Sequence, residues 1–144
     1  MKDLSQWLEE YGESHQNPIN QKIHKVAVPG IYLSIVGLFW SIPSITMFGI
    51  SVNWIWPAAF PVLIFYLRLS LSVFLMMFGF TLACISLIWC LELIEIPVFT
   101  ASLGFFIFLW CLQFIGHKIE GRKPSFIEDV QFLLIGPIWT FRQH

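Results

Sequence analysis

The sequence predicts an all-α integral membrane protein, a bundle of about four transmembrane helices with amphipathic interfacial helices at both termini. Of its 144 residues, 57% are hydrophobic and 12% are charged, whereas an ordinary soluble domain is roughly 45–50% apolar. The charges also lie near the ends, because only Arg68, Glu92 and Glu95 fall within residues 26–117. At about 20 residues per crossing, this middle region holds about four helices with short loops.

The chain is predicted to form a single membrane domain. Residues 1–28 form cytosolic interfacial helices, 29–116 the transmembrane bundle, and 117–144 a cytosolic motif with an amphipathic helix. The net charge of −1 gives no reason to expect nucleic acid as a partner. The 3 cysteines lie in apolar stretches without paired spacing, which excludes a disulfide framework and a paired-cysteine metal site.

The first element predicted is a helix over residues 3–14. Asp3 and Gln6 have the spacing of a capping box, which begins a helix. Trp7 and Tyr11 lie on one apolar face, and these amphipathic rings suit a helix in the membrane interface.

A second helix is predicted to begin at Asn17 and Pro18, which are typical of an N-cap and a first helical position. On this helix Asn20 and His24 are four residues apart and therefore share a face.

Four apolar spans follow, at residues 29–50, 54–67, 69–91 and 97–115. Pro29 is expected to open the first span and Pro43 to kink it. The second span is shorter than the usual ~17–25 residues, so it either crosses the membrane or forms a re-entrant segment.

The C-terminal region is predicted to restart after a break at Gly121 to Pro124. Ser125 and Glu128 form another capping box. An interfacial amphipathic helix follows and is expected to end at Gly136 and Pro137.

The basic residues predict the orientation. With four crossings, all 8 Lys and Arg residues lie on the side of the two termini, which the positive-inside rule assigns to the cytosol. The expected location is the inner membrane of a bacterium or the endoplasmic reticulum of a eukaryote.

Histidines provide the candidate chemistry. His15, His24 and His117 all fall at the cytosolic edge, and three imidazoles there suit an iron, zinc or copper ion. Gln113, His117 and Glu120 line one face of the last span. Glu120 either orients His117 or binds the metal itself. The alternative is that these interfacial histidines only bind lipid headgroups or helix ends.

Two motif blocks complete the pattern. They are Tyr11-x3-His15-x-Asn17-Pro18-x-Asn20-x3-His24-x4-Pro29 and Gln113-Phe114-Ile115-Gly116-His117-x2-Glu120-Gly121-x2-Pro124, followed by Gly136-Pro137. This pattern resembles the family of iron(II)-dependent 2-hydroxy-fatty-acid dioxygenases, small multi-span membrane proteins of fatty acid α-oxidation whose eukaryotic members act in phytosphingosine breakdown. The sequence departs from the family at Ala27, where a glycine is common, and at Ser125-Phe126.

The resemblance implies an Fe2+ site and a reaction. The metal ligands would be His15, His24 and His117. The supporting polar groups would be Asn20, Gln113 and Glu120. The reaction would cleave a long-chain 2-hydroxy fatty acid with dioxygen to the one-carbon-shorter acid and carbon dioxide. Lys118 and Arg122 are candidates to hold the substrate carboxylate.

Two other functions stay open from the sequence. One is a haem-binding electron-transfer protein in which two of the histidines are axial ligands. The other is a non-enzymatic membrane adaptor whose amphipathic flanks bind a partner. Membrane lipids are expected partners in every case, and the sequence leaves a homo-oligomer open.

Overall fold

A computed structural model describes residues 3–13, 15–121 and 132–142. This part of the chain is helical apart from one short β-hairpin. Its elements are α1 (Leu4–Glu13), α2 (Pro18–Ser41), β1 (Ile45–Met47), β2 (Ile50–Val52), α3 (Ile55–Leu69), α4 (Leu71–Leu93), α5 (Val98–Glu120) and α6 (Phe132–Arg142). The capping box predicted at Ser125 and Glu128 lies outside the described residues.

Three of these helices, α2, α4 and α5, are long and apolar enough to cross a membrane. This agrees with the predicted class of membrane protein. Helix α3 lies where the second span was predicted and has 15 residues, so it falls below the usual length of a crossing. The described residues form two compact groups, one within residues 1–32 and 106–144 and the other within residues 33–105.

In the first group, the N-terminal capping box is confirmed. The backbone N–H of Asp3 donates to the side chain of Gln6 at 3.0 Å, and the N–H of Gln6 donates to Asp3 Oδ1 at 2.9 Å. The start of α2 is also confirmed, because Pro18 is its first residue and Asn17 Oδ1 accepts the N–H of Ile19 at 2.8 Å.

The apolar face of α1 is covered by protein. Trp7 and Tyr11 are both buried. The Trp7 ring meets Phe132 of α6 edge-on at 5.1 Å, and the Tyr11 ring lies 5.3 Å from that of Trp139. The aromatic residues that suggested a helix facing the lipid interface therefore pack against α6.

Helix α6 passes through Gly136 and Pro137, so the prediction that a helix ends there was wrong. Gly136 serves a packing contact, because a Cβ at this position would lie 3.0 Å from Tyr11 Oη and 3.1 Å from Val28 Cγ1. The absence of a side chain lets α6 approach α1 and α2 closely.

The boundaries of the first span were also wrong. Helix α2 contains Pro29 rather than beginning there; a proline inside an apolar helix costs one hydrogen bond, which neighbouring groups can compensate. The helix ends at Ser41, before Pro43, because a residue that precedes proline avoids the helical region. Pro43 thus follows the helix end and does not kink it.

In the second group, an antiparallel hairpin follows α2. Ile45 pairs with Val52, Thr46 with Ser51 and Met47 with Ile50. Asn53 anchors the hairpin exit, since its Nδ2 donates to the carbonyl of Trp40 at 3.0 Å. Most of this hairpin, residues 45–50, lies within the first span predicted from the sequence, because a short apolar run is ambiguous between helix and strand.

Helices α3 and α4 form an antiparallel pair joined at Ser70. The Ser70 hydroxyl accepts the N–H of Ser72 at 3.2 Å and caps α4. At the other end of α4, Glu92 accepts the indole N–H of Trp40 at 2.7 Å. The C-terminal ends of α2 and α4 therefore lie side by side.

Candidate metal centre

The three histidines selected from the sequence come together in the first group of residues. His15 lies in the link between α1 and α2, His24 on the second turn of α2, and His117 in the last turn of α5. One potential ligand atom of each lies within 4.8 Å of the others. The side chains are 1%, 1% and 4% exposed, respectively, so the cluster is shielded from solvent.

Backbone carbonyls fix the orientation of two of the rings. His15 Nδ1 lies 2.6 Å from the carbonyl oxygen of Tyr11, and His24 Nδ1 lies 3.0 Å from that of Asn20. Because a carbonyl oxygen can only accept a hydrogen bond, Nδ1 carries the proton in both rings. Each ring therefore keeps its lone pair on Nε2, the atom available for a metal.

The third ring completes the cluster. His117 Nε2 lies 3.1 Å from His24 Nε2. The ring centroid of His15 lies 4.1 Å from that of His24 and 4.9 Å from that of His117, both edge-on. Two nitrogen lone pairs at such a distance repel each other, so a proton or a cation has to lie between them.

Burial keeps His15 neutral. The loss of solvent lowers the pKa of His15 from 6.5 to about 4, despite the hydrogen bond to Tyr11 that favours its charged form. Neutral imidazole is the form that binds a metal ion. At neutral pH this ligand needs no deprotonation before it can bind one.

Aromatic rings form the wall behind His15. The Tyr11 ring stacks on the His15 ring at 4.2 Å and 8°, as expected from their spacing of four residues. Trp139 of α6 lies 5.2 Å from His15. Sequence reasoning missed Trp139, because the expected helix end at Gly136 and Pro137 left it outside any element.

Glu120 fastens the link between α1 and α2 to the end of α5. Its carboxylate accepts the backbone N–H of Gln16 at 3.1 Å and that of Asn17 at 2.7 Å. It also accepts from the side chain of Asn20 at 3.2 Å. These three donors surround a negative charge at the N-terminus of α2, where the helix dipole favours it. We refer to this arrangement as the Glu120 latch.

The position of Asn20 depends on Gly116, the glycine of α5 that faces it. A Cβ on Gly116 would collide with Asn20 Oδ1, so α5 can approach α2 this closely only because residue 116 has no side chain. Gln21 adds a further tie, since its Nε2 donates to the carbonyl of His15 at 2.7 Å. Gly116 stood in the recognised motif without an assigned role, and Gln21 was missed.

Three other residues were predicted to belong to the site: Gln113, Lys118 and Arg122. Gln113 is buried one turn before His117, and its Oε1 accepts no hydrogen bond from the described residues. Lys118 follows His117 on the exposed side of α5. Arg122 lies outside the described residues. The substrate-binding role of Lys118 and Arg122 stays a prediction.

The donor set fits a divalent transition metal ion. Metal–imidazole bonds of about 2.0–2.1 Å place neighbouring ligands of one ion roughly 3 Å apart, which matches the 3.1 Å between His24 and His117. Imidazole suits iron, zinc and copper alike. The residues present therefore accommodate iron without selecting it over other first-row ions.

Apolar helices of membrane-crossing length and a buried group of three imidazoles define a membrane protein with a candidate metal centre. Comparison with known proteins gives the family. Residues 1–143 match the model of the family described as 2-hydroxy-palmitic acid dioxygenase Mpo1-like, and the chain belongs to this family.

One curated relative is 2-hydroxy-palmitic acid dioxygenase MPO1 of Saccharomyces cerevisiae. The two sequences are 31% identical over 146 residues, which cover 94% of this chain and 75% of the yeast protein. No solved structure matches the chain. The family resemblance predicted from the two motif blocks is thus confirmed, and it indicates a dioxygenase of lipid metabolism.

Proposed function

We propose that this protein is an iron-dependent dioxygenase that carries out α-oxidation of long-chain 2-hydroxy fatty acids. The observation that carries the proposal is the buried cluster of His15, His24 and His117 in a chain of the 2-hydroxy-palmitic acid dioxygenase family. The reaction converts the hydroxy acid and one dioxygen molecule into the one-carbon-shorter acid, carbon dioxide and water.

Atoms and electrons balance without another reactant. The bond between C1 and C2 breaks, C1 leaves as carbon dioxide, and C2 is oxidised from an alcohol carbon to a carboxyl carbon. Dioxygen is reduced and its atoms end in the oxidised products and water. When bound, Fe2+ supplies positions for the hydroxy acid and dioxygen and the electrons that activate dioxygen.

The residues of the chain prepare this chemistry. The carbonyls of Tyr11 and Asn20 orient two ligand rings, and the Glu120 latch holds the segment that carries His15 and His24. Burial of the three rings excludes bulk water, which protects reactive species from side reactions.

The substrate is expected to contact polar groups beside the cluster. We assign the 2-hydroxyl to Gln113, whose buried Oε1 can accept a hydrogen bond. The free carboxylate oxygen is assigned to Lys118 or Arg122, which are cations near the end of α5. The acyl chain would extend into the hydrocarbon region, because only the head of such a substrate is polar.

We also propose a four-crossing topology with both termini in the cytosol, which agrees with this placement. Helices α2 and α4 end side by side, at the bond from Trp40 to Glu92, so the chain has to return between them. Helix α3 makes that return; its 15 residues span about 22 Å at ~1.5 Å per residue. This is short of the ~30 Å core, a mismatch that local bilayer thinning accommodates.

Cysteine labelling tests this topology in sealed vesicles. Single cysteines at Gln6 and Ser70 are expected to react with an impermeant maleimide from the cytosolic side, and a cysteine at Ser44 only from the other side. Reaction of Ser44→Cys and Ser70→Cys from the same side would contradict the crossing by α3.

The function is tested with the full chain in lipid nanodiscs. We expect iron near one atom per chain and loss of one carbon from 2-hydroxypalmitate in air but not under argon. Alanine at His15, His24 or His117 is expected to abolish turnover and metal retention. His144→Ala is the matched control, since it removes the fourth histidine at the end of the chain.

Two outcomes would overturn the assignment. One is full turnover after removal of any of the three ligands, and the other is equal activity with zinc, which cannot supply electrons to dioxygen. A haem is disfavoured by the contacts between the rings, because a haem lies between its two axial histidines. A Soret band in the purified protein would reverse that conclusion.

A further inference from the structure

The hairpin between α2 and α3 is amphipathic. Its register pairs Met47 with Ile50 and Thr46 with Ser51, and side chains alternate between the two faces of a strand. One face therefore carries Met47 and Ile50 together with Ile45 and Val52 at the base. The other face carries the two hydroxyl residues.

The apolar face of this hairpin is open. Met47 is 52% exposed and Ile50 64% exposed. At the tip, Phe48 is 97% exposed. A two-stranded hairpin is marginal in water on its own, and an uncovered apolar face adds to that cost, so this face needs an apolar surface against it.

The turn of the hairpin also indicates an apolar surface next to it. Phe48 has φ 53° and Gly49 has φ 77°, the pattern of a turn that favours Asn, Asp or Gly at its first central position. A bulky aromatic residue in the left-handed region is uncommon and strained. The exposure of Phe48 in this conformation is explained when its ring is buried against a surface outside the protein.

The surroundings identify that apolar surface as lipid. Residues 26–67 contain no charged side chain. Tryptophans collect at the boundary between headgroups and acyl chains, and the helix ends near the hairpin carry three of them. Trp40 lies in the last turn of α2 and bonds Glu92 of α4, Trp56 lies in the first turn of α3, and Trp89 lies in the same α4 C-terminal region as Glu92. Trp56 and Trp89 are 51% and 53% exposed. A soluble partner would leave these rings in water, whereas a bilayer covers them and the hairpin together.

We propose that the hairpin, residues 45–52, lies flat in the membrane interface at the end of α2, with its apolar face on the acyl chains and its hydroxyl face toward water. Asn53 fixes its base through the bond to the Trp40 carbonyl. The hairpin then anchors the loop between α2 and α3 at a set depth. This inference does not depend on the proposed reaction.

Site-directed spin labelling in nanodiscs of phosphatidylcholine tests the proposal. The background is the full chain with Cys84, Cys90 and Cys111 changed to alanine, verified by an unchanged melting temperature. Labels are placed on the apolar face (Met47→Cys, Ile50→Cys), on the hydroxyl face (Thr46→Cys, Ser51→Cys) and at the tip (Phe48→Cys). Each label reports its collision rates with oxygen, which enriches in lipid, and with a water-soluble nickel chelate.

We expect the logarithm of the oxygen-to-nickel ratio to alternate in sign. It should be positive at 47, 48 and 50 and negative at 46 and 51, and neighbouring positions serve as mutual controls. Nickel-accessible labels at all five positions would show a hairpin in water and overturn the proposal. Protection of 47 and 50 from both reagents, or dipolar broadening between chains, would indicate a protein partner or a second copy and would also overturn it.

Discussion

Glu120 accepts the backbone N–H of Asn17 at 2.7 Å across 103 positions of sequence. The bond joins the last residue of α5 to the residue that caps α2. His117 lies one turn before Glu120 and His15 lies two residues before Asn17, so the bond fixes both histidines relative to each other. Glu120 thus influences the candidate metal centre by holding the backbone that carries His15 and His117.

The first prediction concerns this latch. Glu120→Gln keeps one acceptor oxygen but loses the charge and the second acceptor, and Glu120→Ala loses all three bonds. Groups that orient ligands typically contribute ~10–100-fold in metal affinity, so we expect iron retention to fall about tenfold in the glutamine variant and further in the alanine variant. Iron content after dialysis against a graded chelator measures the effect.

A matched control for the latch is Glu9→Gln, an exposed acidic residue of α1 with the same change of charge. It should retain iron like the parent protein. If Glu120→Ala also retained iron like the parent, the positioning role of Glu120 would be refuted.

The second prediction uses two glycines of α5. Gly116→Ala places a Cβ against Asn20 Oδ1, whereas Gly104→Ala meets nothing within 4 Å. Overpacking costs about 1–3 kcal/mol, and alanine in an open helical site gains roughly 0.5–1 kcal/mol. We expect Gly116→Ala to lower both the melting temperature and iron retention, and Gly104→Ala to lower neither. Equal behaviour of the two variants in a thermal melt would exclude the close approach of α5 to Asn20.

The third prediction is a loss of stability of the metal-free protein in acid. The pKa of His15 is lowered from 6.5 to about 4 by burial. Between these values the unfolded chain binds a proton at this imidazole and the folded chain does not, so protons favour unfolding as the pH falls. One group with this shift removes about 3 kcal/mol by pH 4.

Thermal melts of the metal-free protein from pH 7 to pH 4 measure this loss. His15→Gln removes the titrating group and should give a shallower dependence on pH, while His144→Ala should keep the slope of the parent. An unchanged slope in His15→Gln would assign the acid sensitivity to other groups.

The features that depend on contacts between near neighbours in the chain were predicted correctly. The capping box at Asp3 and Gln6 and the start of α2 at Pro18 depend on a few neighbouring residues, and both were found as expected. The meeting of His15, His24 and His117 followed from their common place at one edge of the predicted bundle. Their joint burial strengthened a site that spacing alone left open.

Features that depend on contacts between residues distant in sequence were not predicted. The role of Gly136 depends on Tyr11 and Val28, which are distant in sequence. The residues next to Gly136 in sequence indicated only a helix end. The bonds of Glu120 reach residues more than 100 positions away, and its spacing to His117 could not separate a metal ligand from a positioning group. The hairpin was hidden within an apolar run.

The fourth prediction separates binding from packing at Gln113. This side chain is 6% exposed and its Oε1 accepts no hydrogen bond from the described residues, a state that costs about 1–3 kcal/mol. Gln113→Leu removes that cost and should leave the melting temperature equal or higher. If Gln113 accepts the substrate hydroxyl, the same variant should lose about tenfold in kcat/KM, since one hydrogen bond contributes ~1.4 kcal/mol.

Thr140→Val is the matched control for Gln113, because Thr140 Oγ1 is likewise buried and without a hydrogen bond from the described part of the chain. It should also melt no lower than the parent, but with unchanged turnover and iron content. Stable Gln113→Leu protein with full iron content and full kcat/KM on 2-hydroxypalmitate would show that the amide has no contact with the substrate. Loss of turnover together with iron would instead place Gln113 among the groups that hold His117.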